Sequence, residues 1–373
     1  MIKSSEEMYH YFLNNVELEE VVLTLAWADI TVNVQTNSAD LLTGLRDYFS
    51  FCLASAAEIS NASKVINLVA LEMAAPELPV TFEDWQREPG KKGRKDSFFA
   101  LDDGRLLRKV RTGMVFLQSQ SVLLAAGPCI ANSNQVVNFI NSQIMNHLQQ
   151  QNYLIGHAAA AYINGCGVAF AGFSGGGKST LMLKLMEHSD SKFISNDRLF
   201  LREDGDGVQA VGVPKLPRVN PGTLLNNPRL RGLMTDDECR YFAEMSMPEL
   251  WDVEQKYDVP IAALYGPKRI LAAAPLSAIV ILNWRHDSEQ ATAINPVDIT
   301  ERQELISAVQ KSPGPFYQST DGRFLSDELR IDSTPYLAAL KRIQVWELSG
   351  KVDIEQGVML INEQLEADLV CHA

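Results

Sequence analysis

The sequence predicts an α/β protein in which a phosphate-loop domain follows a smaller α/β domain. Three observations carry this expectation. A glycine-rich stretch from Gly172 to Ser179 lies between a short apolar strand, Val168–Ala171, and an apolar helix, Thr180–Met186. Strand-like and helix-like periodicities alternate through the preceding segments. The length, 373 residues, exceeds the roughly 100–200 residues of one average domain.

In chain order, Val21–Val34 has the β-branched content of a strand. Ser38–Cys52 then places Leu41, Leu42, Leu45, Tyr48 and Phe49 on one helical face, with Asn37 or Ser38 as its cap. Lys64–Leu71 reads as a further strand. Trp85–Asp96 holds Arg87, Lys91, Lys92, Arg94 and Lys95 around Pro89, Gly90 and Gly93. It lacks the interleaved aromatics of a nucleic-acid surface and reads as a solvated loop. Ser97–Leu101 and Leu106–Val110 form a hairpin around an Asp-Asp-Gly turn, with strands at Val115–Leu117 and Ser121–Ala126 beyond it. Gly127-Pro128 is a punctuation mark, and Ser133–Gln151 carries a helical stripe. The boundary is expected near residue 130. This gives an N-terminal α/β domain over 1–130, of unassigned role, and a phosphate-loop domain over 131–373.

A net charge of −13 with a pI near 5.0 excludes a dedicated nucleic-acid binder, which needs a basic face. It leaves room for a local basic cleft. With 46% hydrophobic and 21% charged residues the chain is globular rather than disordered. Its apolar runs are far shorter than the roughly 20 residues of a membrane span, so no membrane role is expected. Met1–Glu7 does not read as a signal peptide. Five scattered cysteines and six histidines show neither a disulfide framework nor paired metal spacing. A reduced, cytoplasmic protein is the expectation.

The glycine-rich stretch satisfies GxxxxGK[ST], with Gly172, Gly177, Lys178 and Ser179 at the fixed positions. Four such positions coincide by chance about once per hundred chains of this length. Each residue type has a reason. Glycines at 172, 175, 176 and 177 let successive N–H groups, that of Ser174 included, curl around an anion without a Cβ in the way. The helix opening at Lys178 and running through Thr180 aims its positive end at phosphates. Lys178 neutralises phosphate oxygens, and Ser179 offers a hydroxyl to Mg²⁺. Such a loop also needs an acid near the metal, usually at the end of a neighbouring apolar strand, and the stretch Lys192–Arg198 supplies one in Asp197. Asp197 is read either as a Mg²⁺ ligand or as the acceptor of a substrate hydroxyl's proton.

The stretch from His157 through Gly165 and Gly167 to Lys178, Ser179 and Thr180 resembles the core of bacterial HPr kinase/phosphorylase. Ile194-Ser195-Asn196-Asp197 falls where that family has a strand ending in two aspartates. Trp251 with Tyr257-Asp258 is similar to its W-x5-[YF]-D segment, and Leu276–Asn283 resembles its late buried strand. The likeness covers roughly residues 150–285, and the chain looks most like the HPr-kinase-related kinases. The resemblance implies the phosphate-loop fold shared with phosphoenolpyruvate carboxykinase. It also implies Mg-ATP-dependent phosphoryl transfer to a hydroxyl, His157 close to the phosphates, and an oligomer by analogy.

Three departures separate the chain from that pattern. Asn196 replaces the first aspartate, and an amide accepts no proton at neutral pH, so acid–base work falls to Asp197. Val259 stands where an arginine follows the Tyr-Asp pair. Leu230-Arg231-Gly232-Leu233 lacks the glutamate of the segment tied to phosphorolysis. The expectation is therefore a kinase without the reverse reaction, acting on an acceptor other than HPr. Lys215 and Arg218, three apart on a proline-flanked segment, are candidates for a γ-phosphate or acceptor clamp. Lys256 and Lys268-Arg269 read as solvated surface. After Thr300, helices are expected over Glu301–Lys311, Tyr336–Ile343 and Asp353–Leu365, and a strand over Val345–Leu348, with no chemistry assigned.

The leading functional expectation is a Mg-ATP-dependent kinase acting on a serine or threonine of a protein. A kinase of small-metabolite hydroxyls and a nucleotide-gated switch ATPase without an acceptor are the alternatives.

Overall fold

The computed structural model describes residues 3–86, 93–172, 176–246, 249–250, 253, 255–326 and 331–371. The chain forms two compact units: residues 1–152 with 312–330, and residues 153–311 with 331–373. This division differs from the one expected near residue 130.

In the first unit, the described residues form an eight-stranded sheet of order β1-β2-β3-β8-β7-β6-β5-β4. The strands are β1 Leu23–Trp27, β2 Ile30–Thr36, β3 Lys64–Glu72, β4 Glu83–Asp84, β5 Asp96–Ala100, β6 Gly104–Lys109, β7 Val115–Ser119 and β8 Leu123–Gly127. The single strand expected over Val21–Val34 is instead a hairpin of β1 and β2. Its turn carries Ala28 at φ 53°, with no glycine or asparagine at 28 to announce it. Helix α1, Ser5–Leu13, buries Met8 and Phe12 against Leu71, Leu106 and Leu117 on one face of the sheet. Helices α2 (Ala39–Tyr48), α3 (Ala56–Asn61) and α4 (Ser133–Gln150) complete the unit's N-terminal part. Ser38 caps α2, its side chain accepting from the Leu41 N–H at 3.3 Å.

Helix α4 was expected to open the second domain but belongs to the first. Its Val136, Phe139 and Ile140 are fully buried, and Phe139 lies 4.9 Å from Phe116 of β7. The chain breaks at Asn152 instead, a left-handed residue (φ 64°) just past the helix end. The strap 312–326 completes this unit. Phe316 packs on Phe116 and Phe139, and its carbonyl accepts from Gln118 Nε2 (2.8 Å) and Asn146 Nδ2 (2.7 Å).

The second unit carries strands β9 Leu154–Gly156, β10 Ala158–Ile163, β11 Cys166–Gly172, β12 Lys192–Ser195, β13 Leu199–Asp204, β14 Gly207–Val211, β17 Ala273–Leu282, β18 Ala293–Pro296 and β19 Gln344–Ser349. A separate ribbon pairs β15, Arg218–Val219, with β16, Tyr257–Asp258. The main order is β12-β10-β11-β17-β14-β13-β9, and β19 joins β17 further along the edge that β14 occupies. Strand β17 is parallel to both β11 and β19.

The central strands read as nearly unbroken apolar runs because both faces are buried. Val168, Phe170, Val280 and Leu282 face one core, completed by α5 (Lys178–Leu185) and α10 (Ile354–Cys371). Ala169, Ala171, Ile279 and Ile281 face the other, covered by the 3₁₀ turn Gln303–Ala308 and α9 (Thr334–Leu340). The helix expected over Glu301–Lys311 is only that 3₁₀ turn. Three short helices lie on the first face: α6 Pro221–Leu225, α7 Asp236–Ala243 and α8 Ile261–Tyr265. Among the described residues, no helix is long and apolar enough to cross a membrane.

Gly167 lets β11 approach β17, since a Cβ there would stand 2.1 Å from the Pro275 carbonyl oxygen. Gly167→Ala should therefore destabilise the protein by about 3 kcal/mol or more. Gly232→Ala, whose Cβ meets nothing within 4 Å, should change stability by under about 0.5 kcal/mol. Denaturant unfolding of the two variants checks the contrast.

Candidate functional site

The site is built where β11 gives way to α5. Gly177, at φ 80° (left-handed), is the residue before the helix, and Lys178 is its first residue. The Lys178 ammonium donates to the Gly172 carbonyl at 2.8 Å, tying the helix start to the strand end. Burial lowers its pKa; the charge of Asp197 opposes this and that of Lys311 adds to it. Thr180, on the first turn, has its hydroxyl 2.8 Å from that of Thr223 in α6, so it is engaged within the protein. Ser174 and Gly175 lie outside the described residues, as does Trp251.

The turn after β12 lines the same cleft as the start of α5. The Ser195 hydroxyl donates to the Arg198 carbonyl at 2.6 Å and closes it, presenting Asn196 and Asp197. His157, between β9 and β10, reaches Asp197 Oδ1 from Nε2 at 3.2 Å. Lys311 Nζ and Arg198 Nε lie 3.4 and 3.5 Å from Asp197 Oδ2. Crowding by protein atoms raises the carboxyl's pKa, but the His157 hydrogen bond and the charges of Lys311 and Arg198 outweigh it. They hold Asp197 well below the usual carboxylate range. Its side chain still keeps 47% of its surface open.

A third wall comes from the segment with the clamp candidates. Arg218 Nε lies 3.3 Å from Asp258 Oδ1 across the β15–β16 ribbon. Burial pushes the Lys215 ammonium down to about 8; Arg198 and Arg218 add to this while Asp197 and Asp258 oppose it. Asn220 caps α6, its oxygen accepting from the Thr223 N–H at 3.2 Å.

These walls enclose a cleft of ≈ 820 Å³ lined by His157, Gly176, Gly177, Lys178, Ser179, Thr180, Asp197, Lys215 and Arg218 among others. The sequence-predicted candidates that are described thus converge on one place, and Gly172 touches it through Lys178. Lys256, read as solvated surface, lines it too. Arg269 does not: its guanidinium donates to the carbonyls of Ser191, Met186 and His188, a structural clasp. Arg94 of the basic loop pairs with Asp84 at 2.7 Å, while Arg87, Lys91 and Lys92 lie outside the described residues.

The region after Thr300 does contribute, contrary to expectation. Lys311 reaches Asp197, and Val352, Asp353, Ile354 and Glu355 line the cleft. Neither lies at a spacing from the loop that a sequence pattern registers. Val259 is fully buried, its N–H donating to the Pro217 carbonyl at 2.8 Å, so that position brings no cation.

No three His, Cys, Asp or Glu side chains gather as a metal cluster among the described residues. Mg²⁺ needs less, because it keeps waters and shares phosphate oxygens. Asp197, the Ser179 hydroxyl and the Asn196 amide supply an all-oxygen set on the cleft wall. The Asn196 Oδ1 is buried without a hydrogen-bond partner, an unmet acceptor that a metal-bound water would satisfy. These residues fit the ion.

No protein-family model matches the chain, and no curated protein matches it. Among solved structures it is similar to the Hpr(Ser) kinase/phosphatase from Coxiella burnetii at 11% identity, over 57% of this chain and 98% of that one, with a TM-score of 0.29.

Because the Lys215 pKa is lowered to about 8, its charge is present below that pH and is lost as pH rises through it. Affinity for tripolyphosphate should fall roughly threefold from pH 7 to 9, beyond the change seen in Lys215→Met. Calorimetric titration of both proteins at the two pH values checks this.

Proposed function

We propose that this protein is a Mg-ATP-dependent phosphotransferase that passes the γ-phosphoryl group to an alcohol, with a serine or threonine of a protein as acceptor and without reverse phosphorolysis. One observation carries the reading. Lys178 at the start of α5 faces the same cleft as the Asp197–His157 pair, so a phosphate-binding helix end and a metal-binding carboxylate share one chamber.

The residues divide the work by their chemistry. Gly176, Gly177, Lys178 and Ser179 receive the phosphates, where backbone N–H groups and the helix dipole favour an anion. Asp197 and Ser179 would hold Mg²⁺, which would supply positive charge to offset that of the phosphates. Asp197 is held too acidic to be an effective proton acceptor near neutrality, and this favours the metal role over the general-base role. A loose phosphoryl-transfer transition state asks for positioning and charge more than for a strong base. Lys215 and Arg218, which line the same cleft, supply that charge.

The cleft volume lies toward the upper end of the roughly 300–1,000 Å³ of ligand pockets, which suits a nucleotide with part of an acceptor beside it. Lys256 is exposed and Arg218 is 40% exposed, so the acceptor side faces solvent. That supports a polypeptide acceptor over an enclosed metabolite. A switch ATPase remains the second reading, favoured by Asn196 and the buried Val259, two positions without the charge of the kinase pattern.

Incubation of the purified protein with γ-labelled Mg-ATP and a lysate of its host tests the proposal. A labelled protein band is expected that falls by about 10²–10³-fold with Lys178→Ala, in line with the loss of one transition-state-stabilising group. Label found only in small molecules would point to a metabolite kinase, and label found only in free phosphate would point to the ATPase.

A further inference from the structure

The glycine loop is held from behind by a residue that the cleft does not contain. Trp284 lies two residues past the end of β17, is 6% exposed, and donates from its indole N–H to the Gly176 carbonyl at 2.9 Å. A trans peptide points its C=O and N–H in opposite directions. Fixing the Gly176 carbonyl on the indole therefore turns the Gly177 N–H away from Trp284, toward the cleft that Gly176 and Gly177 line. The ring also backs Gly177 itself: a Cβ there would lie 3.8 Å from Trp284 Cζ2 and 3.5 Å from Ile354 Cδ1.

The ring's seat has a second marker. Gly357 is buried within α10, where alanine is the better helix former. A Cβ at 357 would stand 3.0 Å from Trp284 Cζ3 and 3.2 Å from its Cη2. The helix thus carries a poor helix former at the point where the indole edge needs room.

We propose that Trp284 is the positioning residue of the phosphate-binding loop: its indole N–H sets the Gly176–Gly177 peptide so that the Gly177 N–H is aimed at the nucleotide's phosphates, and Gly357 gives the indole its place. This rests on the nucleotide reading above. No covalent step is involved. Trp284 acts through the loop backbone and touches no phosphate.

Calorimetric titration of Mg-ATP into the full-length protein tests the proposal, with Lys178→Ala as the reference for lost phosphate binding. Trp284→Phe keeps an aromatic ring and removes the N–H, and the affinity should fall roughly three- to tenfold, the worth of one neutral hydrogen bond. Gly357→Ala should weaken binding in the same direction while the melting temperature holds or rises, a pairing that a merely structural role would not produce. With the smaller phenylalanine at 284 the crowding is relieved, so the two substitutions together should bind no worse than Trp284→Phe alone. If both single variants bind Mg-ATP within twofold of the wild type, the proposal is overturned while the nucleotide reading stands. If Gly357→Ala weakens binding equally with phenylalanine at 284, the proposal also falls. A wild type that binds Mg-ATP no better than Lys178→Ala overturns the nucleotide reading and the proposal with it. Should Trp284→Phe fail to fold, Gly357→Ala decides alone, because its melting temperature reports folding independently.

Discussion

Strands β11 and β17 run side by side in parallel, from Gly167 opposite Leu276 to Gly172 opposite Leu282, and both are buried on both faces. Parallel neighbours end together, so whatever follows one strand lies beside whatever follows the other. Strand β19, parallel to β17 on its other side, ends at Ser349 just beyond Leu348, the partner of Leu282. Three chain segments are thereby delivered to one edge of the sheet: the glycine loop with α5, the stretch through Trp284 and His286, and Val352–Glu355. Each contributes to the cleft or to its backing. A crevice outside the carboxyl ends of parallel strands is where open α/β sheets place their ligands. Here Gly167 makes the arrangement possible by removing the one side chain that would hold β11 off the Pro275 carbonyl.

Charge is the second organising feature. The whole chain carries −13, yet Lys178, Lys184, Arg198, Lys215, Arg218 and Lys256 line the cleft against Asp197, Asp353 and Glu355. Low-dielectric walls focus such a field on an anionic ligand. Asp197 is the exception that gives the field a use. Surrounded by His157, Lys311 and Arg198, it stays ionised, and on the proposed reading those neighbours share it with a divalent cation whenever the triphosphate arrives. Its clamped state also explains why proton abstraction is the weaker assignment.

Much of this was legible in the sequence because the informative signals were local. The strand–glycine loop–helix order from Val168 to Met186 follows from periodicity and residue type, and the structure has β11 and α5 there. Asp197 was found because its turn closes an apolar strand a short distance downstream. The missed features depend on distant pairing. The β1–β2 hairpin has no turn glycine, since Ala28 takes the left-handed conformation itself. Gly127-Pro128 looks like a domain break, whereas the burial of Phe139 against Phe116 keeps α4 with the first unit. Lys311 reaches Asp197 only because the chain returns beside β9, with Gln310 bridged to Gly156 and the Val309 carbonyl accepting from the His157 N–H at 2.7 Å. Trp284 lies just past the late buried strand, and nothing in its neighbours announces a hydrogen bond to Gly176.

The central claim is that Lys178 and Asp197 act on one Mg-bound triphosphate. Its most direct test is calorimetric binding of a non-hydrolysable ATP analogue to the wild type and to Asp197→Ala, each with and without Mg²⁺. If the account holds, Mg²⁺ tightens binding to the wild type by about tenfold or more, one carboxylate–metal contact being worth at least a charge-assisted hydrogen bond. Asp197→Ala should abolish that gain yet bind the metal-free analogue at least as well as the wild type does, since a repelling charge has gone. Binding that is indifferent to Mg²⁺ in both proteins, or weakened equally with and without the ion in Asp197→Ala, would contradict it.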